Sequence, residues 1–158
     1  MDRLAQVKCD KKPITSVTLD EVLSARPSDF SDYYLPNSSS ADFDDDLVDR
    51  LATLQGLQIV GLEHAPITDQ AVISLAKLES LRLLDLDNTG VSDVGIAALA
   101  GHPCLEVLWL EGTHVTRTCL DSLSQCPKLK YVSLIDTLIT KEQAAFMATH
   151  GVDVVTSE

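Results

Sequence analysis

From Leu57 onward the hydrophobic pattern of the chain repeats every 24 residues. The segments LQIVGLEHAPIT, LRLLDLDNTGVS, LEVLWLEGTHVT and LKYVSLIDTLIT begin at Leu57, Leu81, Leu105 and Leu129, each apolar at its first, fourth and sixth places. The fourth place reads Val60, Leu84, Leu108 and Val132, the sixth Leu62, Leu86, Leu110 and Leu134, and the eleventh Ile67, Val91, Val115 and Ile139. Self-similarity at a fixed step of this size is the signature of stacked repeats, so these positions are read as inward columns of short strands. In the second half of each unit the period changes, with Leu75, Leu99, Leu123 and Met147 recurring inside segments such as TDQAVISLAKL, which predicts short helices. Thr68, Ser92, Thr116 and Thr140 stand where helix N-caps belong, Asp69 and Asp93 follow in the first turn, and Gln143 is placed to complete a capping box with Thr140. Pro103, Pro127 and Gly151 fall at equivalent stopping positions.

Stepping 24 residues back places Leu51 under Leu75 and Phe43 under Ile67, predicting a helix over 44–54 that opens on Asp44, Asp45 and Asp46. Further back the register breaks. ITSVTL, residues 14–19, has strand spacing but lies 43 residues before Leu57, so a first strand is expected, followed by a long loop over 23–42 that either caps the core or binds. At the other end the regular repeats run to 152, and 152–158 is expected to close the sheet with a strand at Val152 to Val155. The whole chain reads as one domain.

LxxLxL followed by a turn and a helix resembles the leucine-rich repeat. The tails ITD, VSD, VTR and ITK, and above all CPKL at Cys126 to Leu129, are similar to the cysteine-containing subtype of F-box-type receptors and to short bacterial leucine-rich repeat proteins. In the turn after each strand this chain has Ala65, Thr89, Thr113 and Thr137, a column whose hydroxyls can take up backbone groups that the turn leaves unpaired. The resemblance implies an α/β fold, a short right-handed solenoid with a parallel sheet on the concave face and helices on the convex face, and a protein-binding role.

With the first, fourth and sixth places inward, the third, fifth and seventh face the concave side. The third supplies Ile59, Leu83, Val107 and Tyr131; the fifth Gly61, Asp85, Trp109 and Ser133; the seventh Glu63, Asp87, Glu111 and Ile135. An aliphatic strip beside the only tryptophan, bordered by four acids, is the pattern of a surface that recognises a protein or peptide of basic character. Trp109 is expected to be exposed there, so that Trp109→Ala weakens binding without unfolding the chain. The alternative is a structural or self-associating unit in a larger complex, including a substrate-receptor-like subunit.

Composition narrows the remaining classes. In 158 residues, 24 Asp and Glu against 12 Lys and Arg give a net charge of −12, which opposes nucleic acid and anionic membrane surfaces as partners. The start, Met1 to Lys12, leads into Pro13 and mixed polar sequence with no apolar segment of signal-peptide length, and no run of 18 apolar residues is present, so neither a signal peptide nor membrane insertion is expected and the chain is read as cytoplasmic. Cys9, Cys104, Cys119 and Cys126 lack zinc-site spacing and are read as reduced structural thiols. His102, Cys126 and His150 share one repeat position, but three groups in a line do not make a tetrahedral site. No H-E-x-x-H, G-x-S-x-G or phosphate-loop motif occurs, so no catalytic residue, cofactor or metal is expected.

Overall fold

A computed structural model describes residues 43–157 together with the short strands β1, Lys12–Pro13, and β2, Tyr33–Tyr34. The remaining elements follow as α1 (Asp45–Leu51), β3 (Ile59–Gly61), α2 (Asp69–Leu75), β4 (Leu83–Asp85), α3 (Asp93–Ala97), β5 (Val107–Trp109), α4 (Thr118–Leu123), β6 (Tyr131–Leu134), α5 (Lys141–Ala148) and β7 (Asp153–Thr156). The anticipated strand over 14–19 lies outside the described residues, as does the loop over 23–42 apart from β2, which pairs in parallel with β1.

Strands β3 to β7 form one parallel sheet in sequence order, with the helices stacked on its other layer. Its register is the 24-residue step made spatial: Ile59 pairs with Leu83, Leu83 with Val107, and Val107 with Tyr131. The last step is shorter, since Tyr131 pairs with Asp153 only 22 residues on. The inward columns from Val60 to Val132 and from Leu62 to Leu134 are completely buried and join Leu75, Leu99, Leu123 and Met147 of the helical halves in one continuous aliphatic core. Each unit alone cannot bury its apolar face, and stacking completes it.

Two polar devices hold the units in register. The first joins helix starts. Asp45 accepts the backbone N–H and the hydroxyl of Thr68 at 2.9 and 2.6 Å, Asp69 does the same for Ser92 at 2.7 and 2.7 Å, and Asp93 for Thr116 at 2.8 and 2.5 Å. The Thr68 and Ser92 hydroxyls in turn accept the N–H two residues on, capping their own helices, whereas the N-cap expected at Thr116 falls instead on Arg117, which makes no side-chain cap bond. Helix α4 begins at Thr118, one residue later than its neighbours by the unit step, yet Thr116 still receives the Thr118 N–H at 3.3 Å. The ladder stops where Arg117 stands in place of an aspartate. There Thr140 turns to Gln143 in a complete capping box.

The second device lies in the turn after each strand. His64, Asn88, Gly112 and Asp136, again 24 apart, all adopt positive φ, from 54° to 64°. This lets the N–H of each of the first three reach the next strand, at Asp87 O, Glu111 O and Ile135 O. One residue further, the hydroxyls of Thr89, Thr113 and Thr137 donate to the carbonyls of Leu86, Leu110 and Leu134 at 2.6 to 2.8 Å. A buried carbonyl at a strand-to-helix turn costs free energy if unpaired, and the Thr column removes that cost unit after unit.

Candidate functional site: the concave sheet

The register brings the three concave columns side by side. Ile59, Leu83, Val107 and Tyr131 lie in one row, and Asp85, Trp109 and Ser133 in the next. Glu63, Asp87, Glu111 and Ile135 follow at the strand ends, where backbone bonds from Leu86 to Trp109, and from Asn88 to Glu111, continue the ladder.

The rows are less open than the sequence alone implies. Trp109 is 8% exposed, clustered with Ile59 and Leu83, and Val107 and Tyr131 pack half-buried against them. The expectation of an indole standing on the open surface is therefore corrected. Strands sit about 4.8 Å apart, so a large ring beside the short side chains of Asp85 and Ser133 has room to lie across the aliphatic row. The signal was present in the sequence as the small neighbours of Trp109 in its own column.

The carboxylates are also anchored rather than simply solvated. Asp85, 1% exposed, accepts the N–H of Asp87 at 3.1 Å, and Asp87, 3% exposed, accepts the N–H of Glu111 at 2.7 Å. Glu111 in turn receives the hydroxyl of Ser133, itself completely buried, at 2.7 Å. A chain of acceptors thus runs across three strands and fixes the acidic column. Glu63 remains half-buried, 3.6 Å from the exposed His64 imidazole. Glu111, Val107, Tyr131 and Ile135 keep intermediate exposure, and with Glu63 they form the accessible part of the face.

A charged row that the sequence reading passed over borders the strand starts. The second place of the repeat, Arg82, Glu106 and Lys130, forms an ion-paired ladder in which Glu106 takes the Arg82 Nε at 2.7 Å and the Lys130 Nζ at 2.7 Å. Hydrogen bonds from these two cations hold the Glu106 carboxyl down at about 2. Alternating charge at the 24-residue step was the available signal. Beside it, Ile59, Leu83 and Val107 floor a shallow cleft of about 230 Å³ whose rim is Arg82 and Glu106.

The His and Cys column is accounted for by the backbone. His102 bonds the carbonyl of Leu78 through Nε2 at 3.0 Å, the Cys126 thiol donates to Leu99 O at 3.0 Å, and His150 lies 3.1 Å from Phe146 O. Burial lowers the pKa of His102 and raises that of Cys126, and it pushes the Cys119 thiol up to about 12. Among the described residues no group of three His, Cys, Asp or Glu is placed to hold a metal, and no helix is long and apolar enough to cross a membrane.

No protein-family model matches the chain, and no curated protein matches it by sequence. Solved structures do. An internalin C2 from Listeria monocytogenes superposes with a TM-score of 0.50 at 25% identity over 69% of this chain, which spans 46% of the length of that protein. The actin-binding site 2 of leiomodin-1 superposes with a TM-score of 0.64 at 14% identity, covering 87% of this chain and 89% of that one. Together with the parallel sheet and its helical layer, these likenesses define the fold as that of a short leucine-rich repeat domain.

Proposed function

We propose that the chain is a non-catalytic protein-interaction module that takes a basic segment of a cytoplasmic partner along the concave sheet. The observation that carries this reading is the stacking of Glu63, Asp87 and Glu111 in one column beside the half-buried Val107, Tyr131 and Ile135. An anchored acidic column steers a cationic partner, and an apolar row beside it supplies contact area. Because Asp85, Asp87 and Trp109 are buried, the recognition contacts fall to Glu63, Glu111, Val107, Tyr131 and Ile135, while the buried residues set the shape and charge beneath. The leucine-rich repeat fold supports the reading, since it offers an open curved platform rather than a converging pocket of base, nucleophile and donors.

A crosslinking pull-down from the source cell, comparing wild type with Tyr131→Ala and Glu63→Lys, tests the proposal. A specific partner retained by wild type at low salt, weakened by both variants and by raised salt, is the expected result. A partner retained equally by all three forms sinks the concave-face assignment.

A further inference from the structure

The C-terminal end of the solenoid presents a second surface with the opposite charge preference. Strand β7 pairs with β6 on one side and has no neighbour on the other among the described residues. The N–H of Asp153 is donated to Lys130 O at 2.8 Å. With side-to-side alternation along a strand, Asp153 and Val155 face β6, and the N–H and C=O groups of Val154 and Thr156 face the open edge. Such an edge is a template for one more strand.

Beneath this edge lies an empty slot. A groove of about 350 Å³ runs between α5 and β7, floored by Ala144, Ala145 and Ala148 and walled by Val154 and Thr156. Within the solenoid each strand and helix is covered by those of the following unit, whereas here the small alanines leave room for a side chain. Among the described residues, Val155 at 39% and Leu138 at 72% are exposed large apolar side chains, and both belong to this end.

The charge at the slot selects its occupant. Lys141 is the one charged side chain lining it among the described residues, and it forms no ion pair there. Lys141 also lines the adjoining groove with Ser157, so the cation sits at the C-terminal end of β7. The Glu142 carboxyl in that groove has its pKa lowered, chiefly by its own backbone N–H and then by the Thr140 hydroxyl.

We propose that β7 and the alanine slot accept an extended segment of a partner protein as a sixth parallel strand, with an acidic side chain of that segment against Lys141. Parallel addition continues the direction of the whole sheet and carries the C-terminal end of the segment toward Lys141. Residues two apart share a face, about 6.8 Å from one another, so the matching segment has an apolar residue over the alanines and Asp or Glu two positions later. A second copy pairing through β7 brings Val154 and Thr156 to the slot, while its Asp153 falls on the opposite face of the sheet, so among the described residues it sets no carboxylate against Lys141.

The probe is a fluorescein-labelled peptide, Thr-Val-Thr-Val-Thr-Asp-Thr, followed by fluorescence anisotropy. Saturable binding is expected, weakened about fivefold by Lys141→Glu, as an exposed ion-pair reversal would do. Replacing the peptide Asp by Lys should restore binding to Lys141→Glu and weaken it to wild type. Thr156→Pro removes an edge N–H that β6 does not use, and it should abolish binding while leaving the melting temperature close to wild type. Tyr131→Ala should bind the peptide normally, which separates this surface from the concave face. No saturation at millimolar peptide, no charge-swap rescue, or a concentration-dependent dimer lost in Thr156→Pro would each overturn the proposal.

Discussion

Asp93 in α3 holds Thr116 of the following unit by both its backbone N–H and its hydroxyl, so one carboxylate joins two helix starts. Asp69 and Asp45 do the same one and two units earlier, respectively. The ladder makes adjacent units cooperative, because loss of one aspartate leaves the next N-cap without its support. Asp93→Ala removes a part-buried charged acceptor of two hydrogen bonds, and we expect a loss of about 2 kcal/mol in urea unfolding. The break at Arg117 supplies a contrast. Thr140 relies on Gln143 there, so Gln143→Ala should cost about 1 kcal/mol, and less in an Arg117→Asp background that rebuilds the missing rung.

Trp109 now belongs among the residues that hold the sheet together. Its indole completes a small apolar cluster with Ile59 and Leu83, and Trp109→Ala is expected to destabilise the protein by about 3 kcal/mol, the low end for a buried tryptophan. Intrinsic fluorescence reports on this directly, since it is the only tryptophan. Emission of the native protein should be blue-shifted relative to the unfolded chain. A native spectrum already matching the unfolded one, with an unchanged melting temperature in the alanine variant, would place the ring in solvent.

The inward columns were legible because the 24-residue step repeats without insertion from Leu57 to Ile139, and a buried slot tolerates only Leu, Val and Ile. The helical halves follow from the change of period within each unit, and the parallel sheet from the resemblance to the leucine-rich repeat. What the sequence concealed were relations between neighbouring columns. The small neighbours of Trp109 in the fifth column signal room for the ring but not that it turns onto the third, and the carboxylates of Asp85 and Asp87 were read as surface charge because their backbone partners sit on their own and the next strand. The Arg82, Glu106 and Lys130 row was equally regular but polar, and the search for apolar periodicity passes over it. The two-residue shortening before β7 has no sequence marker that we can identify.

His102 makes stability depend on pH. Its Nδ1 accepts the N–H of Leu105 at 3.1 Å and that of Cys104 at 3.4 Å, while Nε2 faces Leu78 O, so the buried ring is the neutral tautomer with its proton on Nε2. Protonating Nδ1 would set two donors against each other. Burial lowers the folded-state pKa, partly opposed by the Leu78 carbonyl and by Glu79. The unfolded chain therefore takes up a proton first as pH falls below about 6.5, and the contribution present above that value is lost toward the folded pKa. The urea midpoint should drop between pH 7.5 and 5.5, and His102→Gln should flatten the drop. An equal slope in the variant would assign the effect to another group.

Gly112 separates backbone strain from crowding. It shares its place in the repeat with His64, Asn88 and Asp136, which adopt the same positive φ with side chains, so its φ of 64° does not by itself demand glycine. The demand comes from Asn88, whose Oδ1 would lie 2.5 Å from a Cβ built on Gly112. Gly112→Ala should therefore cost about 2 kcal/mol, of which about 1 kcal/mol is the left-handed conformation and the rest displacement of the amide. Gly101, with φ 71° and nothing within 4 Å of its Cβ position, carries only the first contribution, and Gly101→Ala should cost about 1 kcal/mol. Adding Asn88→Gly removes the obstructing amide without imposing strain of its own. In a double-mutant cycle on urea midpoints, Gly112→Ala should then become about 1 kcal/mol milder, and strict additivity would show that the Asn88 side chain moves aside freely.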